Sequence, residues 1–145
     1  MESLHYLLMK SNALFSRHIL SEVSKIGLTS GQPKILDFLL QYYEADQKTI
    51  AAYCEIEQAT VGSILLRMEN TGLVTRRQKE GNRRSLYVSL TEKGKEAATK
   101  LMDIFGSVEE KATSGLDPDE IVALTTALSK LCTALQEPAM KKVQE

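Results

Sequence analysis

Between Asp46 and Leu90 a short helical pattern, a one-turn break, a second helical pattern and a basic hairpin follow one another directly. The rest of the chain is organised around this stretch. Asp46 is a good N-cap, and in the QKTIAAYC segment behind it Ile50, Ala51 and Cys54 give one narrow apolar face. Glu55-Ile56-Glu57 interrupt the pattern for about one turn, with Glu57 a mediocre cap whose charge suits a helix start. The following run, from Gln58 to Gly72, sets Val61, Ile64, Leu65 and Met68 on a core stripe. Gly72 stops it as a C′ glycine, and Leu73-Val74 begin an extended segment. Helix, short turn, helix at this spacing is a helix-turn-helix.

The outer face of the second helix carries Gln58, Ala59, Thr60, Gly62, Ser63 and Arg67. Small residues allow close approach to base edges, and Gln, Ser and Thr can donate and accept there. A merely solvated face would carry more Glu and Lys. Leu66 sits on or beside this face and takes no role in that reading. The two strands that follow, Val74–Gln78 and Ser85–Leu90, alternate, with Leu86, Val88 and Leu90 on one face. The loop between them, Lys79 to Arg84, contains Gly81 and Asn82 as turn formers. From Arg67 to Arg84 six Lys/Arg stand against two Glu, a local charge of +4 in a chain whose total is −1, so the remainder carries −5. Such segregation suits a phosphate-binding edge. A solvated basic hairpin would carry the same charge, but its place directly after the helix pair favours nucleic acid.

The segment TVGSILLRMENTGLVTRRQKEGNRRSLYVSLTEKG resembles the MarR (multiple antibiotic resistance regulator) family of winged helix-turn-helix regulators. The likeness runs from the second helix through the strand entry Gly72-Leu73-Val74 to the wing and the LTEKG helix start, and with the flanking helices it covers nearly the whole chain. It implies that Gln58–Arg67 enters the major groove and that Arg84 reaches the minor groove from the wing tip. The implied DNA-binding set is Gln58, Ala59, Thr60, Gly62, Ser63, Arg67, Arg76, Lys79, Asn82, Arg83 and Arg84. Where the family usually has Asp-x-Arg at the wing, this chain has Asn82-Arg83-Arg84, so Arg84 lacks that aspartate as a charge partner. Ala59, Gly62 and Leu66 occupy positions that are often polar or basic in the family, so the operator sequence does not carry over from a relative.

The flanks are helical. Glu2–Ile26 reads as one long helix with Leu4, Leu7, Leu8, Leu14, Phe15, Ile19, Val23 and Ile26 as apolar positions. Gly27 ends it, and Thr29-Ser30-Gly31-Gln32 reads as a capping box opening a helix over Ser30–Tyr43. Glu44-Ala45-Asp46 reads as a lead into the helix pair. After the hairpin, Thr91 caps a helix through Ala97, Leu101, Ile104 and Phe105 that fades near Ser107–Lys111. Asp117-Pro118-Asp119-Glu120 opens a last helix with Ile121, Leu124, Leu128, Leu131 and Leu135, and Pro138 and Lys141-Lys142 suggest a fraying tail. The expected fold is mainly α with a small β-hairpin wing: a winged helix-turn-helix lobe over residues 30–90, flanked by helical dimerisation regions over 1–29 and 91–145, in a single 145-residue chain. The first helix and the last two are apolar over more surface than so small a lobe can cover, which points to a homodimer.

The leading function is therefore a sequence-specific, double-stranded-DNA-binding transcriptional regulator. It is expected to act as a repressor, as a homodimer on a pseudo-palindromic operator, and to be relieved by a small aromatic or lipophilic effector. By the resemblance, the effector cleft lies where the first, second and fifth helices meet the winged lobe, with Asn12, Phe15, His18 and Tyr42 as candidate lining; Phe15 and Tyr42 also read as plain core. Cys54 on a buried stripe and Cys132 in the last helix read first as small hydrophobes, and the first helix lacks the reactive cysteine of peroxide-sensing relatives. His5 and His18 are too widely spaced to share a helix-borne ion, so neither metal nor cofactor is expected. No nucleophile elbow, phosphate-binding glycine loop or HExxH motif suggests an enzyme. With 43% apolar and 26% charged residues, no 18-residue apolar run and no leader-like start, the chain reads as cytoplasmic with no membrane contact. The competing class is a winged-helix interaction module binding protein or nucleic acid without sequence preference.

Overall fold

The computed structural model describes residues 1–79 and 81–136, with the backbone alone for residues 82–85. In chain order the described residues form α1 (Leu4–Ser24), α2 (Gln32–Tyr42), β1 (Glu44–Asp46), α3 (Gln47–Cys54), α4 (Gln58–Asn70), β2 (Val74–Lys79), β3 (Asn82–Leu90), α5 (Glu92–Ala112) and α6 (Pro118–Leu135). This is the mainly α winged helix-turn-helix expected from the sequence. The expected tail around Pro138 and Lys141-Lys142 lies outside the described residues.

Several boundaries differ from the sequence reading. Helix α1 starts later and ends earlier, because Ser3 caps it through the Tyr6 N–H and the Leu28 N–H turns back to the Val23 carbonyl at 3.0 Å around Gly27. At α2 only half of the expected capping box forms. Gln32 Oε1 accepts from the Thr29 N–H at 3.1 Å, yet the N-cap is Gly31 in a left-handed conformation and the helix begins at Gln32. The reason is tertiary: Ile64 Cδ1 of α4 lies 2.6 Å from where a Cβ on residue 31 would stand, so the helices close against bare backbone.

The lead-in Glu44-Ala45-Asp46 is in fact a strand. It pairs antiparallel with β3, Glu44 opposite Ser89 and Asp46 opposite Tyr87, giving a sheet of order β1-β3-β2. Helix α5 does not fade at Ser107 but continues to Ala112, because Val108 is buried against the core and keeps the last turns packed. Its C-terminus is finished by the Thr113 hydroxyl donating to the Glu109 carbonyl at 2.8 Å.

One core joins the elements. Ile35, Leu36 and Leu39 of α2 meet Ile50 of α3, Val61, Leu65 and Met68 of α4, Val74 and Val88 of the sheet, and Ala98 and Leu101 of α5. The start of α5 is tied to the exit of α4. Thr91 caps α5 and donates to the Gly72 carbonyl, Lys93 Nζ donates to the Thr71 carbonyl at 2.7 Å, and Gly94 lies so close to the Leu73 carbonyl that no Cβ fits. Helix α6 has the expected start: Asp117 Oδ1 accepts from the Glu120 N–H at 2.9 Å, and the Glu120 carboxylate accepts from the Asp117 N–H at 3.1 Å. No residue of α6 is buried.

Candidate nucleic-acid interface

The helix pair forms as its sequence directs. Asp46 accepts from the Thr49 N–H at 2.9 Å to start α3, and Glu55 closes it in the left-handed region with φ of 56°. Glu57 starts α4 without a side-chain cap hydrogen bond. The first-turn N–H groups of α4 are therefore not taken by a cap and face outward at the positive end of the helix dipole. Gln58, Ala59, Thr60, Ser63 and Arg67 are exposed, the Ser63 hydroxyl turning back to the Ala59 carbonyl at 3.3 Å.

Gly62 differs from the open position expected of it. A Cβ there would stand 2.9 Å from Nε2 of Gln47, which donates to the Gln58 carbonyl at 2.8 Å. Gly62 makes room for a side chain from α3 that ties the two helix N-termini together. Gln47 was not singled out in the sequence, where a glutamine at a first helical position carries no signal of its partner. Leu66 is 54% exposed one turn beyond Gly62 and Ser63, an apolar side chain on the outer face of α4.

Between the N-termini of α3 and α4 and the sheet lies a cleft of about 320 Å³, lined by Asp46, Gln47, Lys48, Gln58, Arg76, Leu86 and Val88. Arg76 sits on its wall only 17% exposed, with Nε 3.9 Å from Glu69 and without a hydrogen-bond partner among the described residues. Lys79 stands apart from this cleft, ion-paired to Glu44 at 2.9 Å. The side chains of Asn82, Arg83 and Arg84, the expected wing-tip contacts, lie outside those described.

The four candidate effector-lining residues line neither this cleft nor the second one described below. Asn12 and His18 are exposed on α1 and Phe15 is half-buried against the core. Tyr42 belongs instead to an aromatic cluster on α2 and α3, with ring centroids 4.9 Å from Phe38 and 5.5 Å from Tyr53. Burial raises the Tyr53 hydroxyl's pKa, helped by the hydrogen bond with Tyr42. A second cleft, about 350 Å³, is lined elsewhere by Ile26, Leu28, Leu73, Lys93, Ala97 and Lys100 among others. Cys54 is buried and its thiol is pushed up to about 11, the reverse of what a reactive cysteine needs, whereas Cys132 is exposed.

The comparisons with known proteins agree with this geometry. The MarR family model matches residues 28–86. The organic hydroperoxide resistance transcriptional regulator of Bacillus subtilis is 28% identical over 132 residues, 91% of this chain and 88% of that protein. Over residues 28–86 in sequence, and over most of its length in fold, this chain is similar to the MarR family. Among solved structures, a putative MarR family transcriptional regulator from Listeria monocytogenes, complexed with a 26mer DNA, superposes with a TM-score of 0.88. That likeness is at 19% identity and covers 99% of this chain and 93% of that one. NadR in complex with 4-hydroxyphenylacetate superposes with a TM-score of 0.77 at 19% identity, over 90% of this chain and 93% of that one. The chain has a winged helix-turn-helix like those of MarR family transcriptional regulators, and no helix among the described residues is long and apolar enough to cross a membrane.

Proposed function

We propose that this chain is a MarR family regulator, a cytoplasmic homodimeric repressor that reads a pseudo-palindromic operator and is relieved by a small aromatic or lipophilic effector. The observation that carries the DNA-reading part is the start of α4: a helix N-terminus without a side-chain cap, faced with small and amide side chains, opening onto a cleft whose wall holds Arg76. Gln58, Ala59, Thr60, Ser63 and Arg67 read the major groove, and Leu66 offers an apolar contact for a thymine methyl. Gly62 acts through the close fit of Gln47. Arg76, Asn82, Arg83 and Arg84 supply phosphate and minor-groove contacts, and Lys79 supplies one only when it leaves Glu44.

Dimerisation is supported by α1 and α6, where Leu4, Leu7, Leu14, Leu124 and Leu128 lie exposed in a single chain. Two-fold pairing of two such lobes matches half-sites about one helical turn apart. The effector part is supported by the NadR likeness and by the half-buried Phe15 near Asn12 and His18 on α1. Tyr42 enters that reading through its exposed edge, beside Phe38 and Tyr53.

The test is a selection of bound sequences from a random duplex pool, followed by titration of the winner and of a scrambled duplex at several salt concentrations. A pseudo-palindrome with a large specificity ratio supports the proposal. Binding without an enriched sequence, fading uniformly with salt, moves the reading to an interaction module. Gln58→Ala and Ser63→Ala should each lose about 1–3 kcal/mol mainly at the operator, whereas Arg84→Ala should weaken binding to every sequence and flatten the salt slope.

A further inference from the structure

The basic residues of the wing are not one population. Side chains alternate across a sheet, and Arg76 lies opposite Val88 while Arg77 lies opposite Tyr87. Arg76 therefore turns to the cleft and core side. Arg77 shares the other face with Tyr87 and with Glu44, which sits opposite Ser89 on the far side of β3. There the Glu44 carboxylate reaches diagonally across the central strand and accepts from Arg77 Nη2 at 2.7 Å and from Lys79 Nζ at 2.9 Å. Lys79 Nζ also stands 4.4 Å from the centre of the Tyr87 ring. The Lys79 and Arg77 hydrogen bonds hold the Glu44 carboxyl below the usual carboxylate range. One carboxylate from a three-residue strand thus serves two of the six cations between Arg67 and Arg84.

We infer that Glu44 is a built-in counter-ion that withholds Arg77 and Lys79 from DNA phosphates and so limits the sequence-independent part of binding. This rests on the DNA-binding reading of the wing given above. Cation–phosphate contacts supply essentially all non-specific affinity, about 0.9 unit of salt slope for each phosphate neutralised. A phosphate approaching Lys79 or Arg77 must displace a carboxylate already in contact with both, and is itself repelled by that carboxylate's charge. Base contacts made through α4 are untouched by this, so Glu44 lowers the phosphate share of the affinity without weakening base reading.

Glu44→Gln keeps the shape of the side chain and removes its charge. Titration of a labelled scrambled duplex over a salt series should show Glu44→Gln binding about tenfold tighter at low salt, with a slope steeper by about 1 to 2. The double variant Arg77→Gln/Lys79→Gln should cost clearly less with Glu44 present, where both cations are occupied, than in the Glu44→Gln background, where both are free to meet phosphates. A Glu44→Gln protein that binds the scrambled duplex equally or more weakly overturns the inference. So does an Arg77→Gln/Lys79→Gln pair that costs as much with Glu44 present as without its charge; if Glu44→Gln does not fold, Glu44→Ala serves as the second background. Arg84→Ala is the control: if it weakens binding while Glu44→Gln fails to tighten it, only the counter-ion role falls. If neither Arg84→Ala nor any Glu44, Arg77 or Lys79 variant changes DNA binding, the wing reading falls with it.

Discussion

The winged lobe and the last helix use the same kinds of apolar residue to opposite ends. In α4, Val61, Leu65 and Met68 are wholly sealed between α2, α3, the sheet and α5. In α6, Leu124, Leu128 and Leu135 are 45%, 40% and 76% exposed, although the helix begins with a complete capping box. Burial rather than composition decides what a leucine contributes, at roughly 25 cal/mol per Å² removed from water. The lobe's stability therefore belongs to one chain. That of α6 depends on what covers its stripe, and in a dimer it depends on protein concentration.

The largest expected effect is on the sealed side. Leu65→Ala should cost about 2–5 kcal/mol in denaturant unfolding at every protein concentration, because it opens a cavity in a fully packed core. A second variant addresses the exposed side. Leu124→Glu with Leu128→Glu should leave the lobe folded but abolish the concentration dependence of thermal melting. At protein a hundredfold above the dimer dissociation constant that removes about 2.7 kcal/mol. Sedimentation should then report a monomer; a variant that still sediments as a dimer would break the comparison.

Gly62→Ala sharpens it inside the lobe. The added methyl displaces Gln47 from the Gln58 carbonyl, at about 0.5–1.5 kcal/mol, and should weaken operator binding more than scrambled-duplex binding. Gln47→Ala should reproduce that loss, and if it leaves both titrations unchanged the tie between the helix N-termini is irrelevant to reading. The smallest effect concerns Cys54, whose thiol burial raises from the ordinary 9.0 to about 11. An acid whose folded pKa is raised is stabilised in its neutral form. That contribution is complete below pH 9 and is lost as pH rises through 11. Denaturation midpoints of wild type should therefore fall over this window more than those of Cys54→Ala.

Local chemistry was legible in the sequence, and partnership across distance was not. The Asp46 cap, the Gly72 stop and the Asp117 capping box are written within four residues and formed as read. The core stripe of α4 came from periodicity alone, with Ile64 only half-buried where α2 closes against it. Strand β1 was missed because three residues carry no alternation to detect; its existence depends on an edge that β3 offers some forty residues later. The same distance hid Glu44, which looks like a loop acid until Arg77 and Lys79 are folded beside it. Thr29–Gln32 misled because its best local cap competes with the approach of Ile64 to Gly31. Among the candidate site residues, the exposed face of α4 was legible from periodicity, while the sequence does not disclose Phe38 and Tyr53 as ring partners of Tyr42.

The junction at Gly94 has a mechanical consequence. With Thr91 and Lys93 holding the carbonyls at the exit of α4 and no side chain between Gly94 and Leu73, there is no play where α5 meets the DNA-reading helix. Helix α5 has 21 residues, a rod of about 31 Å at 1.5 Å per residue. Pivoted at its far end by about 5°, such a rod carries the near end through roughly 3 Å, close to the 3.4 Å separating successive base pairs. On the DNA-binding reading proposed above, so small a tilt would shift α4 by about one rung of the duplex.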